Sequence, residues 1–274
     1  AYCAEGLTGV PSTESGYAFT VGKAEQTNVV AAAGEPDVDE SKLGETLTED
    51  QKNAITDAAA SITAQAGVLE AAAKQEAAKV EDKQVEAAKK QLEDSAVATT
   101  GATITVYAQT YLAVTPTKAA PSGSTYTSVT FDIQPMVRLV ASTATSAADI
   151  QLETEGSKTQ NAVVLTGSEK ELNTIQTMEI SIELPTGFTD NTNTVYVQHK
   201  GYEYEATVAQ DANGKYVATF TNPHGFSEFT ITKNSISVAQ IGETKYTRFE
   251  DALAAVQNGE TIKLIGNIES TTAF

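Results

Sequence analysis

Apolar and polar residues alternate most clearly between Thr194 and Lys233. Tyr202, Tyr204, Ala206 and Val208 are interleaved with Glu203, Glu205 and Thr207, the period of two of a half-buried strand. Asp211-Ala212-Asn213-Gly214 supplies residues that tolerate positive φ, and Tyr216–Thr221 returns as the next strand. Asn222-Pro223-His224-Gly225 turns the chain again, and Phe226, Phe229 and Ile231 anchor a last strand. The pattern predicts a β-meander that closes a β-sandwich. Between residues 99 and 184, further strands are expected at Ala102–Val106, Tyr107–Val114, Val129–Ile133, Met136–Ser142, Asn161–Leu165 and Thr177–Leu184. Gly123–Ser128 reads as a loop, and Pro135 is tolerable only at a strand start or an edge.

Residues 47–95 follow a different period. Ile55, Ala59, Ile62, Ala66 and Leu69 recur at spacings of four, three, four and three, one apolar stripe on a helix of about 19 residues. Thr48 and Gln51 form a capping-box start, with Glu49 and Asp50 at the positive helix end. Gly67 marks the end of that helix. A second helix is expected over Leu69–Val80 and a third over Lys83–Leu92, with Val85, Ala88 and Leu92 on one side. The stripe does not persist over clean heptads, so a packed helical unit is favoured over a coiled-coil assembly handle.

The two ends are less regular. Residues 1–46 are broken by Gly and Pro, with strands expected at Tyr17–Val21 and Thr27–Ala31 that join a sheet built by later residues. Residues 236–274 read as strands at Ser237–Ile241 and Lys245-Tyr246, a short helix Phe249–Gln257 and a strand Thr261–Ile265. Ile262, Leu264 and Ile268 call for cover, and a piece this short holds no secure core of its own. It is expected to pack on the preceding strands and to be the first portion of a module that continues beyond Phe274. The fold class is therefore α+β and mostly β. It consists of an antiparallel β-sandwich (99–233), an Ala-rich helical hairpin or three-helix unit (47–95), an irregular N-terminal segment (1–46) and a partial C-terminal β-α-β module (236–274).

Charge narrows the function classes. The chain carries a net charge of -18 without a Lys/Arg cluster, which argues against nucleic acid and anionic membrane surfaces as partners. It contains no apolar run of membrane-spanning length. Cys3 stands alone and makes no internal disulfide. Many short Thr/Val/Tyr-rich strands in an acidic, cysteine-poor chain suit an extracellular bacterial module.

Candidate chemistry is sparse. His199 and His224 are the only imidazoles; a triad would draw on Ser227 and Glu228, but no nucleophile elbow frames either histidine. The acidic stretch Glu35–Glu40, with Asp37, Asp39 and Glu40, lacks the glycine and distal glutamate of a calcium loop and reads as solvated. Leu184-Pro185-Thr186-Gly187 is one residue short of a sorting pentapeptide, and it reads as a strand exit. No catalytic residue, metal ligand or cofactor is assigned. Tyr196, Tyr202, Tyr204 and Tyr216 fall in one meander and are the candidate ligand-contact residues for a sugar, against the reading that they are cross-strand packing pairs.

Two passages carry a resemblance. Tyr107–Leu112, Asp132–Met136, Thr194–Lys200 and Asn222–Phe226 form the first; Ile241–Leu253 with Asn258–Leu264 forms the second. They resemble the large repetitive surface and secreted proteins of gut Gram-positive bacteria. The second is similar to the segment that opens a right-handed β-helix in such proteins. The resemblance implies an exported, surface-attached or secreted multidomain protein, and it transfers no catalytic residue. The expected function is a non-catalytic structural or adhesive module, with a host or bacterial surface protein or glycan as partner. Self-association through the C-terminal strand edge is a further expected contact. The alternative is a carbohydrate-binding or accessory domain of a carbohydrate-active enzyme.

Overall fold

The structure, a computed structural model, describes residues 7–11, 19–23, 29–44, 46–65, 67–98, 101–122, 125–173, 175, 177–186, 188 and 194–268. The N-terminal part holds strands β1 (Leu7–Pro11), β2 (Phe19–Lys23), β3 (Val29–Ala33) and β4 (Asp37–Val38). Helix α1 (Glu49–Ala60), strand β5 (Thr63–Ala64) and helices α2 (Val68–Ala77) and α3 (Asp82–Asp94) follow. Next come β6 (Thr105–Ser122), β7 (Thr125–Ser142), β8 (Ala162–Val164), β9 (Lys170–Glu171) and β10 (Met178–Glu183). The four strands of the alternating region are β11 (Thr194–His199), β12 (Tyr202–Gln210), β13 (Tyr216–Asn222) and β14 (Glu228–Thr232). The chain ends in β15 (Ala239–Ile241), β16 (Thr244–Tyr246), α4 (Phe249–Ala255) and β17 (Ile262–Leu264). The mostly β character read from the sequence is present. Part of the expected Tyr17–Val21 and Thr27–Ala31 strands, and Gly187, lie outside the described residues.

The chain divides into two compact units: residues 1–32, 73–108 and 139–167, and residues 33–72, 109–138 and 168–274. The helices of 47–95 are distributed over both.

In the first unit, α3 turns Val85, Ala88 and Leu92 onto Val106, Ala108, Leu139, Ala141 and Val163. Tyr107 and Val140, the residues between, point the other way and meet Ala32 and Ala162. Both faces of these strands are therefore covered, and alternation disappears from the sequence. Gln91 fixes the helix to β8: its amide donates to the Val164 carbonyl at 2.5 Å, and its oxygen accepts from the Thr166 N–H at 3.0 Å.

In the second unit the capping box of α1 forms as read. The Gln51 N–H donates to Thr48 Oγ1 at 3.3 Å, and the Thr48 N–H donates to Gln51 Oε1 at 3.0 Å. The helix is shorter than expected, 12 residues rather than about 19. Ser61 ends it: its hydroxyl donates to the Ala58 carbonyl at 2.7 Å and accepts from the Glu183 N–H at 2.8 Å. The next residues become β5, paired with Ile180 and Ser181 of β10. Ile55, Ile62 and Leu69 still reach one core, although they sit on different elements.

Hydrogen bonds join β10, β13, β12, β11, β14 and β7 in that order into one sheet that does not close on itself. Within it, β14, β11, β12 and β13 stand in the 4-1-2-3 order of a Greek key rather than in a simple meander. The sheet is mixed, which corrects the all-antiparallel expectation: β4 runs parallel to β6, with Asp37 opposite Ala113. The strands expected on either side of Pro135 are one, β7. Pro135 lies between two partners, since β14 pairs up to Asp132 and β9 begins at Met136, so its missing N–H interrupts no ladder. Inward residues Met178, Ile180, Phe220, Ala206, Val197, Phe229, Ile231 and Phe131 gather with α1 in a single core.

The C-terminal piece packs within the same unit. β16 pairs with β12, Tyr202 opposite Tyr246, and β15 lies between β16 and β17. Ala239, Ile241, Tyr246 and Ala252 form its small core. The cover expected for its apolar strand is incomplete: Ile262 is half-buried, whereas Leu264 is 55% exposed.

Ile62 is 1% exposed in this core. Placing a carboxylate there leaves an unpaired buried charge, so Ile62→Asp is expected to cost roughly 3 kcal/mol or more. That corresponds to a melting temperature lower by about 6 °C or more. A variant that melts with the wild type in differential scanning calorimetry would show that the stripe is not packed.

Candidate functional site

The described chemistry converges on the hairpin between β11 and β12. Lys200 and Gly201 form its two-residue turn with φ of 49° and 85°, the primed geometry that matches strand twist. Gly201 is doubly required, since a Cβ there would lie 2.5 Å from the Asp251 carboxylate. The turn sets the register: His199 opposite Tyr202, Val197 opposite Tyr204 and Tyr196 opposite Glu205. Directly opposed residues share a face. His199, Tyr202 and Tyr204 therefore look toward the core, and Tyr196, Gln198, Glu203 and Glu205 look away from it.

The connection from β13 to β14 supplies the other side. It comprises residues 223–227 and passes three strand spacings, about 14 Å. Five residues reach only about 17 Å when extended, and this stretch contains a turn. Asn222 holds that turn: its Oδ1 accepts from the His224 N–H at 3.1 Å, and its amide donates to the Gly225 carbonyl at 2.5 Å. His224 is thereby laid on Tyr202, ring centroids 3.7 Å apart and nearly parallel.

The two histidines are differently placed. His199 stacks on Phe229 at 4.0 Å, and its Nδ1 lies 2.8 Å from the Glu228 carbonyl, so Nδ1 carries the proton and donates. Its Nε2 is buried with no hydrogen-bond partner. Burial pushes the His199 pKa below its ordinary value, and nearby Lys200 adds to that. His224 Nδ1 and the Tyr204 hydroxyl are hydrogen-bonded at 2.5 Å. Burial, then Lys200, lowers the His224 pKa as well. Burial raises the Tyr204 phenol well above its usual range, which keeps it neutral. Lys200 closes the group by donating to the His224 carbonyl at 3.0 Å.

Glu228 meets His199 only through its main chain, and its carboxylate accepts from Thr117 at 3.0 Å. The acidic stretch is locally engaged: Asp39 accepts from the Ser41 N–H at 3.0 Å, Asp37 lies 3.7 Å from Arg138, and Glu40 accepts from Thr56 at 3.2 Å. Among the described residues, no three His, Cys, Asp or Glu groups stand together in a way that would hold a metal. No described helix is long and apolar enough to cross a membrane.

The four tyrosines do not line one groove. Tyr202 and Tyr204 belong to the imidazole stack. Tyr196 lies on the opposite face, with Lys245 Nζ 5.7 Å from its ring centre. Tyr216 lines a separate cleft of about 240 Å3 with Asp57, Glu183, Leu184, Pro185 and Lys215.

One residue escaped the sequence reading. Glu203 is 4% exposed, although its strand position is that of a solvent-facing residue. Its carboxylate accepts from the hydroxyls of Ser235 and Ser237, the Ile236 N–H at 2.8 Å and the Gln198 amide at 3.1 Å. Four donors stand in for a cation and make the burial tolerable. The only trace in sequence is Ser-Ile-Ser at 235–237, whose donors become relevant once the strand register is known. Compared with models of known protein families, with curated proteins and with solved structures, the chain gave no match.

Both histidines titrate below their ordinary value in the fold. Below about pH 6.5 the unfolded chain therefore takes up protons that the folded chain refuses, and stability falls with pH. The melting temperature is expected to be flat above about pH 7 and to drop toward pH 5. His199→Gln, which keeps a donor for the Glu228 carbonyl, is expected to flatten that slope. An equally steep drop in the variant would remove His199 as its cause.

Proposed function

We propose that the chain is a non-catalytic structural or adhesive module of a bacterial cell-surface or secreted protein. The observation that supports this most directly is the fastening of residues 235–237 by Glu203. β12 pairs with β11 along one edge and with β13 and β16 along the other, and the linker from β14 to β15 is bound to β12 by the buried carboxylate. Successive pieces of chain are thus held by a common strand and a pinned linker, as a spacer that keeps a fixed geometry requires. The 4-1-2-3 strand order supports the finer reading of residues 99–233 as a β-sandwich-type body. The acidic surface and the resemblance to repetitive surface proteins favour a place outside the cell, with a surface protein or glycan as partner. A carbohydrate-binding accessory domain is the second reading, and the Tyr216 cleft is the observation that favours it.

Force spectroscopy on the whole chain, pulled from its ends, tests the spacer. Residues 236–268 are expected to stay attached until the body unfolds. Glu203→Ala strands the donors of Ser235, Ile236, Ser237 and Gln198, a loss of about 2–4 kcal/mol, and is expected to release that segment first. Early release in the wild type would sink the spacer reading.

A further inference from the structure

The cleft beside Tyr216 is built from three elements of the second unit: Ala54, Asp57 and Ala58 of α1, Glu183–Thr186 at the exit of β10, and Gly214–Tyr216 at the start of β13. Its position is fixed by main-chain bonds, since the Leu184 N–H donates to the Tyr216 carbonyl at 2.8 Å. The Asp211 turn places Lys215: the Asp211 carboxylate accepts from the N–H groups of Asn213 and Lys215, both at 2.8 Å. Lys215 Nζ lies 2.5 Å from Glu183 Oε2, with the lysine side chain 55% and the glutamate 25% exposed. So open an ion pair adds little to stability, yet this one is set in a concave wall beside an aromatic ring. Asp57, also in the lining, adds a second negative charge near Lys215.

The chemistry selects a ligand class. Buried Leu184 and Pro185, with the half-buried Tyr216, give an apolar floor. Acceptors outnumber donors, and the chain carries a net charge of -18, so an anion is disfavoured. Lys215 already takes the place a ligand cation would occupy. The ion pair presents an acceptor and a donor side by side, at the spacing of two neighbouring hydroxyls on a sugar ring. One hydroxyl donates to Glu183 while its neighbour accepts from Lys215, and the C–H face of the ring lies on the aromatic surface. A cleft of about 240 Å3 is below the range of drug-sized sites, which limits the occupant to a single ring.

We propose that this cleft binds one neutral pyranose residue of a glycan, gripped by Glu183 and Lys215 and seated against Tyr216; the proposal rests on the carbohydrate-binding reading above. The test uses the methyl glycosides of glucose, galactose, mannose and N-acetylglucosamine, with cadaverine as a cationic control, titrated into the whole chain and followed by amide NMR shifts. At least one glycoside is expected to bind in the millimolar range, moving the amides of Glu183, Leu184, Lys215 and Tyr216. Glu183→Gln and Lys215→Met, both at the open rim, are each expected to weaken it by roughly tenfold with the melting temperature unchanged. Glycoside binding that survives both variants overturns this site and leaves the carbohydrate reading standing. No glycoside binding at all overturns both. Binding of cadaverine without any glycoside overturns the neutral ligand.

Discussion

The structure of the second unit depends on one short connection. Residues 223–227 carry the chain from β13 to β14, past β12 and β11. A five-residue segment has no length to spare over three strand spacings, so it runs directly across the end of the β11–β12 hairpin. That crossing sets His224 on Tyr202 and leads the chain back beside β11. Phe229 is thereby set on His199 and Thr130 bonded to Thr230. Asn222, fully buried, is the side chain that lets the chain turn while crossing. Its short amide bonds neighbouring main-chain groups, as Asx turns do.

The two faces of the hairpin treat buried polarity in opposite ways. On the outer face Glu203 is an ionisable group with four donors and no cation. Satisfying it organises the linker that leads to β15. On the inner face His199 donates at Nδ1 to the Glu228 carbonyl, and its buried Nε2 has no hydrogen-bond partner among the described residues. An orphaned buried nitrogen costs free energy at any pH, and a charged ring in the same place costs more. The stack with Phe229 offsets part of that cost, since parallel rings at this separation attract. The outer face therefore fastens the linker to β15, while the inner face, which carries the core, also makes the fold sensitive to acid.

Much of this architecture was legible in the sequence where one physical signal acted alone. Alternation at 202–208 marked β12, and Thr48 with Gln51 marked the start of α1, because each depends on neighbours in sequence. The end of α1 was not legible. Ser61 stops the helix partly through the N–H of Glu183, which is 122 residues away. The apolar spacing continued undisturbed because β5 presents Ile62 to the same core. The length of β7 was hidden for a different reason: Pro135 reads as a strand boundary, and only its place between the partners β14 and β9 lets one strand run through it. Glu203 was invisible, because its burial comes from a linker more than 30 residues later.

The tyrosines show why a candidate site is harder to read than a fold. Their sequence spacing places Tyr196, Tyr202, Tyr204 and Tyr216 within one short region, and only register separates them. Register here follows from the Lys200-Gly201 turn, since a shift by one residue would send Tyr202 and Tyr204 to the outer face and Glu203 inward. With the turn as it is, the inner pair is consumed by imidazole stacking close to the His199 end of β12. Tyr216 is displaced to the far end by the Asp211 turn, next to the exit of β10. There its ring stands beside the Glu183–Lys215 ion pair and lines the cleft. The packed cluster thus lies at the hairpin end of β12, and the cleft lies at the start of the neighbouring β13. A module that both holds a geometry and presents a ligand surface needs the two kept apart in this way, because a contact that must exchange with solvent cannot also be part of the core.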